Sequence, residues 1–234
     1  MNIIDLIVLG ILALFLMNGI YRGFLPSVLN LAGLFFSWII SFLCYPLVSA
    51  KFIDTKLFQS IHFYIEGAEK VGNFELAKQA VSKFSPTELE TIVENAKLAS
   101  PYNISILENL KNLAFEQDGL TTIGEYFDAT IYYTIVNIIA FAVLFICVYI
   151  IFMLLTNAAG YSLELPELRH FDRPIGGAIA VVRGFFFMYV IFLVIPIALI
   201  LLPELVTEIL NNSFTSSIFY EGSIILRFIS SLVG

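Results

Sequence analysis

Arg183 is the residue of this sequence with the most chemistry to explain. It stands inside the apolar run Ile175–Leu202, where a guanidinium is costly and marks a functional position by default. If a helix starts at Pro174, nine residues at about 1.5 Å each carry Arg183 about 13 Å along it. If the true span begins near Ala180 instead, the residues from Gly184 to Leu202 still cross a bilayer, and the side chain snorkels to the headgroups. The sequence leaves both readings open. On nearly the same side of that helix, Gly176, Ala180 and Gly184 form a row at four-residue spacing, the pattern that lets helix backbones approach closely in lipid. Packing against the first or third span is one use of such a row, and self-association is the other. Gly19 and Gly23 repeat the spacing around Arg22, which suits a tight hairpin. Asp5 falls in the first turn of a helix, where the dipole favours an acid; a proton-linked role is the alternative. Asn18, Asn137 and Asn157 can hydrogen-bond between helices.

Other chemistries lack their residues. His62 and His170 have no second His, Cys or carboxylate cluster at ligand spacing, so no metal site is expected. Cys44 and Cys147 both lie in apolar stretches and read as small hydrophobes. There is no glycine-rich phosphate loop, nucleophile elbow or pair of intramembrane aspartates. No catalytic residue and no cofactor is therefore expected, and an intramembrane enzyme fails for want of a nucleophile–base pair.

The elements that hold these residues follow from composition. Of 234 residues, 59% are hydrophobic and 13% charged, and mean hydropathy is +0.90. Soluble domains run at about 25% charged, so a globule of this size would go without a polar surface. The net charge of −7 argues against nucleic acid as a partner. The partner is the lipid bilayer, and the fold class is an all-α integral membrane protein. A span needs roughly 20 apolar residues. Four segments qualify: Ile3–Tyr21, Leu25–Val48, Ile131–Leu155 and Ile175–Leu202, the last expected to loosen at Pro196. No Lys or Arg precedes the first apolar run, so it is expected to be retained and not cleaved.

The chain therefore divides into a transmembrane hairpin (1–48), an acidic insertion (49–128), a second hairpin (129–203) and a C-terminal segment (204–234). The insertion holds most of the charge, and its pattern is helical. Ser85-Pro86-Thr87-Glu88 is a capping box with proline just inside the helix, followed by Leu89, Ile92, Val93 and Ala96 on one face. Two or three amphipathic helices are expected, packed together or laid on the membrane. In 204–234, Ile218, Phe219, Ile225, Phe228 and Ile229 suggest the apolar side of an interfacial helix.

Topology rests on arginine. Cytoplasmic loops are enriched in Lys and Arg, and only short loops count. The connections around residue 22 and across 157–173, with their flanks, carry Arg22, Arg169, Arg173 and Arg183, whereas the terminal tails carry only Arg227. Both termini and the insertion are expected on the extracytoplasmic side.

An N-terminal acid, an apolar run and then Gly19-x-x-Arg22-Gly23-Phe24 resembles the opening of the colicin V production protein (CvpA) family. Phe171-Asp172-Arg173-Pro174-Ile175-Gly176-Gly177, followed by Arg183-Gly184, resembles that family's second signature. The resemblance covers roughly 1–48 and 129–202. It implies a bacterial inner-membrane protein tied to toxin (colicin V) production or export and to envelope upkeep, with no established catalysis. Some members carry an extracytoplasmic serine protease after the membrane domain; with Gly234 as the last residue, that activity is not expected here. Two functions remain. One is an accessory protein that contacts membrane or envelope partners, or a second copy of itself. The other is a subunit of an oligomeric channel or transporter, with Arg183 and Asp5 lining a path.

Overall fold

The computed structural model describes residues 2–62, 67–160, 172–211, 213–221, 223 and 225–226. These residues are mostly helical, and the single β-bridge among them joins Ala80 and Thr122. Four helical stretches are long and apolar enough to cross a membrane: Ile3–Arg22, Phe24–Ile53, Ile123–Ala158 and Asp172–Leu201. The protein is a multi-pass membrane protein.

In chain order the helices are α1 (Ile3–Arg22), α2 (Phe24–Ile53), α3 (Lys56–His62), α4 (Phe74–Ala77), α5 (Pro86–Asn95), α6 (Tyr102–Asn112), α7 (Ile123–Gly160), α8 (Asp172–Phe192), α9 (Val194–Leu201), α10 (Pro203–Leu210) and α11 (Phe214–Ser216). Asn2 and Asp5 close a capping box at the start of α1. Gly23, at φ +84°, separates α1 from α2, a backbone that glycine adopts without strain. Helix α7 starts eight residues before the span expected from hydropathy. There Glu125 Oε2 accepts from the backbone N–H of Thr121 and Thr122, and Thr122 Oγ1 accepts from Glu125 N, so a cap holds charged residues in the helix. The fourth span breaks at Leu193, between α8 and α9. Pro196, three residues on, has no N–H to offer the Phe192 carbonyl.

The chain forms two compact units. The first comprises Met1–Tyr45, Phe141–Ile195 and Glu204–Ser223. Aromatic side chains knit its helices: Phe15 and Phe187 join α1 to α8, Phe35 and Trp38 of α2 meet Phe186, and Phe145 and Tyr149 of α7 meet Phe187. The C-terminal part is not one interfacial helix. Among the described residues it is α10, α11 and a π-turn over Ser217–Glu221. Buried Phe219 packs there on Phe185, Tyr189 and Phe192. Phe228 and Ile229 lie outside the described residues.

The second unit comprises Pro46–Ala140, Pro196–Pro203 and Ile224–Gly234. Its core gathers Val81, Leu89, Ile92, Val93, Ile106, Leu110, Phe115, Tyr126, Phe127 and Ile131. The apolar faces of α5 and α6 thus close on each other and on the first turns of α7. Ser85 and Glu88 form the reciprocal cap that starts α5. Asn109 Nδ2 donates to Thr130 Oγ1 at 3.0 Å, and Ser49 Oγ to Asn137 Oδ1 at 2.5 Å.

Candidate functional site

Within the first unit, α1 and α8 run antiparallel with their small residues face to face. A Cβ built on Gly19 would collide with Gly176 and Ala180, and one on Gly176 would collide with Gly19 and Gly23. At Gly184 it would lie 2.9 Å from Phe15 Cγ, and at Gly177 2.8 Å from Ile20 Cγ1. The two small-residue rows, separated by some 150 residues of sequence, are the two sides of one backbone contact. Asp172 completes it, because its Oδ1 accepts from Phe24 N at 2.9 Å and so caps the start of α2. Arg173 is exposed in the first turn of α8. Sequence reasoning quoted Asp172 only as part of a motif; its capping role depends on a neighbour in space.

Arg183 lies at the Phe15–Gly184 end of this contact. It is only 6% exposed, and its guanidinium stands over the Phe15 ring at 4.9 Å from the centroid. Its Nε is buried and has no hydrogen-bond partner among the described residues. Among the described residues, the ionisable groups acting on it are Tyr149 and Arg22. Arg22 is exposed, and its Nη1 donates to Asn157 Oδ1 on α7.

Asp5, 7% exposed, is an anchor in this geometry. Its Oδ1 accepts from Ser213 Oγ at 2.9 Å, Thr215 N at 3.0 Å and Thr215 Oγ1 at 2.7 Å; its Oδ2 accepts from Asn2 N at 3.1 Å. Asn2 Nδ2 donates to the Ile209 and Asn211 carbonyls. The N-terminal turn thereby holds the C-terminal segment. A carboxylate serving four donors is committed to structure.

A third feature escaped the sequence reading. The buried face of α2 in this unit carries Ser27, Asn30, Ser37, Ser41 and Tyr45, all at helical spacing. Thr156 Oγ1 donates to Asn30 Oδ1 at 2.8 Å, and Ser37 Oγ to the Gly33 carbonyl at 2.7 Å. Ser41 Oγ, Tyr45 OH and Trp38 Nε1 are buried with no partner among the described residues. The signal was present as a 3.6-residue period of polar side chains, but averaged hydropathy hides it.

A family model described as colicin V production protein matches residues 4–69 and 119–230. The chain belongs to that family. No curated protein and no solved structure matches it. The colicin V production family is not known as a family of enzymes. Among the described residues no three His, Cys, Asp or Glu side chains gather to hold a metal. His62 packs edge-on against Tyr132 at 4.8 Å, and His170 lies outside the described residues. The matched stretches carry the Gly19–Ala180 contact, Arg22, Arg183 and Asp5.

The family match skips residues 70–118, which carry α4, α5 and α6. In that stretch an open groove of about 430 Å³ runs between α5 and α6. Val93, Leu98, Ile104 and Leu107 form its apolar floor, with Glu90, Glu94 and Lys97 on the rim. Glu90 pairs with Lys111 at 2.5 Å.

Proposed function

We propose that this colicin V production family protein is a non-enzymatic accessory protein of the bacterial inner membrane. Its role is in toxin production or export and in envelope upkeep, exercised by contacting partner proteins. Both termini and the insertion 49–128 stand on the extracytoplasmic side, a placement that the arginine distribution supports. The observation that carries the reading is the groove between α5 and α6. It has an apolar floor with charged rims, the anatomy of a protein contact, and it lies in the stretch this chain adds to the family pattern. The test is complementation in cells lacking the protein. Changing both Ile104 and Leu107 to Glu should abolish the toxin-production phenotype while the protein stays at its normal level in the membrane. Full complementation by that variant would remove the groove from the function.

The inward polar face of α2 supports a second reading, a subunit of an oligomeric channel. Four spans are few for a pore, which would need several copies. Mass measurement of the detergent-solubilised protein, with crosslinking in native membranes, separates the two: a closed ring of copies favours the channel, and a single copy the accessory role.

A further inference from the structure

Among the described residues Arg183 is a buried cation without a counter-ion. Removing a guanidinium from water is costly unless it is paired and hydrogen-bonded, yet the groups acting on it are Arg22, a second cation, and Tyr149, a phenol that is neutral at ordinary pH. Asp172, the carboxylate of α8, already accepts from Phe24 N. Arg183 Nε remains unpartnered among the described residues.

The geometry says what is missing. Phe15 covers one face of the guanidinium, so the remaining donors lie in its plane, and an in-plane oxyanion satisfies them as a fork. Helix side chains lean toward the N-terminus of their own helix. Because α1 and α8 are antiparallel, Arg183 leans toward Asp172 and Arg22 leans toward Phe15, so the two cations converge. At about 1.5 Å per residue, Arg22 stands about 10 Å along α1 from Phe15. Asn157 holds Arg22 in place through one Nη, which leaves its other donors for a ligand.

We infer that Arg183 and Arg22 together bind a phosphate-bearing anion. A tetrahedral phosphate offers oxygens to two forks at once, as a chloride does not, and basic pockets between transmembrane helices are suited to phosphate headgroups. The phosphodiester of an acidic phospholipid and free inorganic phosphate share this chemistry, so the test has an arm for each.

The full-length protein is purified in detergent. Retention of phosphatidylglycerol against phosphatidylcholine is read by native mass spectrometry, and radiolabelled inorganic phosphate is offered by equilibrium dialysis. The wild type should retain phosphatidylglycerol at least about tenfold over phosphatidylcholine, or bind phosphate saturably if the free anion is the ligand. Arg183→Gln should bring either signal to background, Arg22→Gln should reduce it about tenfold, and Arg173→Gln should leave it intact. Arg22 is exposed, so Arg22→Gln decides the matter if Arg183→Gln fails to fold. Equal retention of the two lipids with no phosphate bound by the wild type overturns the inference. So does a preference that survives Arg22→Gln unchanged.

Discussion

Ala180→Leu probes the α1–α8 contact directly. Ala180 is fully buried, and its methyl already occupies the space that a side chain on Gly19 would need. Leucine adds three heavy atoms where two backbones nearly touch, and overpacking of this kind costs about 1–3 kcal/mol. For a chain of this size each kcal/mol lowers Tm by about 2–4 °C, so the expected fall is about 2–12 °C. Val182→Leu is the control, since Val182 is 45% exposed and lies about 200° around the helix. Leucine is at home facing lipid, so this variant should match the wild type. The assay is the fraction of monodisperse protein left after heating in detergent, read by size-exclusion chromatography. Equal midpoints for Ala180→Leu and Val182→Leu would refute the claim that the two small-residue rows form a tight contact.

Three further outcomes are expected. A reporter inserted near Asn103 or fused after Gly234 should be active only outside the cytoplasm, and one near Leu165 only inside it; labelling of an engineered cysteine near Asn103 only after lysis would reverse this topology. Residues 49–128 expressed alone should be largely helical by circular dichroism but weakly stable, because Ile131 and its neighbours on α7 complete their core; a strand-dominated spectrum would contradict this. At the start of α5, Ser85→Ala should cost about 1 kcal/mol. Glu88 there is held below its usual pKa, first by the backbone N–H of Ser85 and then by its hydroxyl. A depressed folded-state pKa gives stability that is present above the unfolded value and lost as pH falls through the folded one, so acid should loosen α5. Glu88→Gln should remove that dependence in a helicity titration from neutral to acidic pH.

The parts legible in sequence were those with local causes. Apolar runs marked all four spans, and Ser85 and Glu88 announced their own cap. Helix α7 began earlier than expected because Glu125 caps a turn that hydropathy counts as charged. What could not be read were pairings across space. Gly19 and Gly176 are each visible as members of a row, but only the fold makes them opposite sides of one contact. Asp5 reads as a helix-dipole acid until Ser213 and Thr215, more than two hundred residues away, supply its donors. The C-terminal segment turned back to bury Phe219 on α8, because an aromatic cluster offers it more contact than a flat interface does.

The central claim, that this family member works by holding a protein in the groove between α5 and α6, is tested most directly by site-specific photocrosslinking in living cells. A photoreactive side chain at Ile104, which is 43% exposed within the groove, should yield a discrete adduct with another polypeptide. The same group at Thr91, exposed on α5 away from the groove, should not, and Leu107→Glu should erase the Ile104 adduct. A properly inserted protein that gives the same yield from Ile104 as from Thr91, with or without Leu107→Glu, would contradict the account.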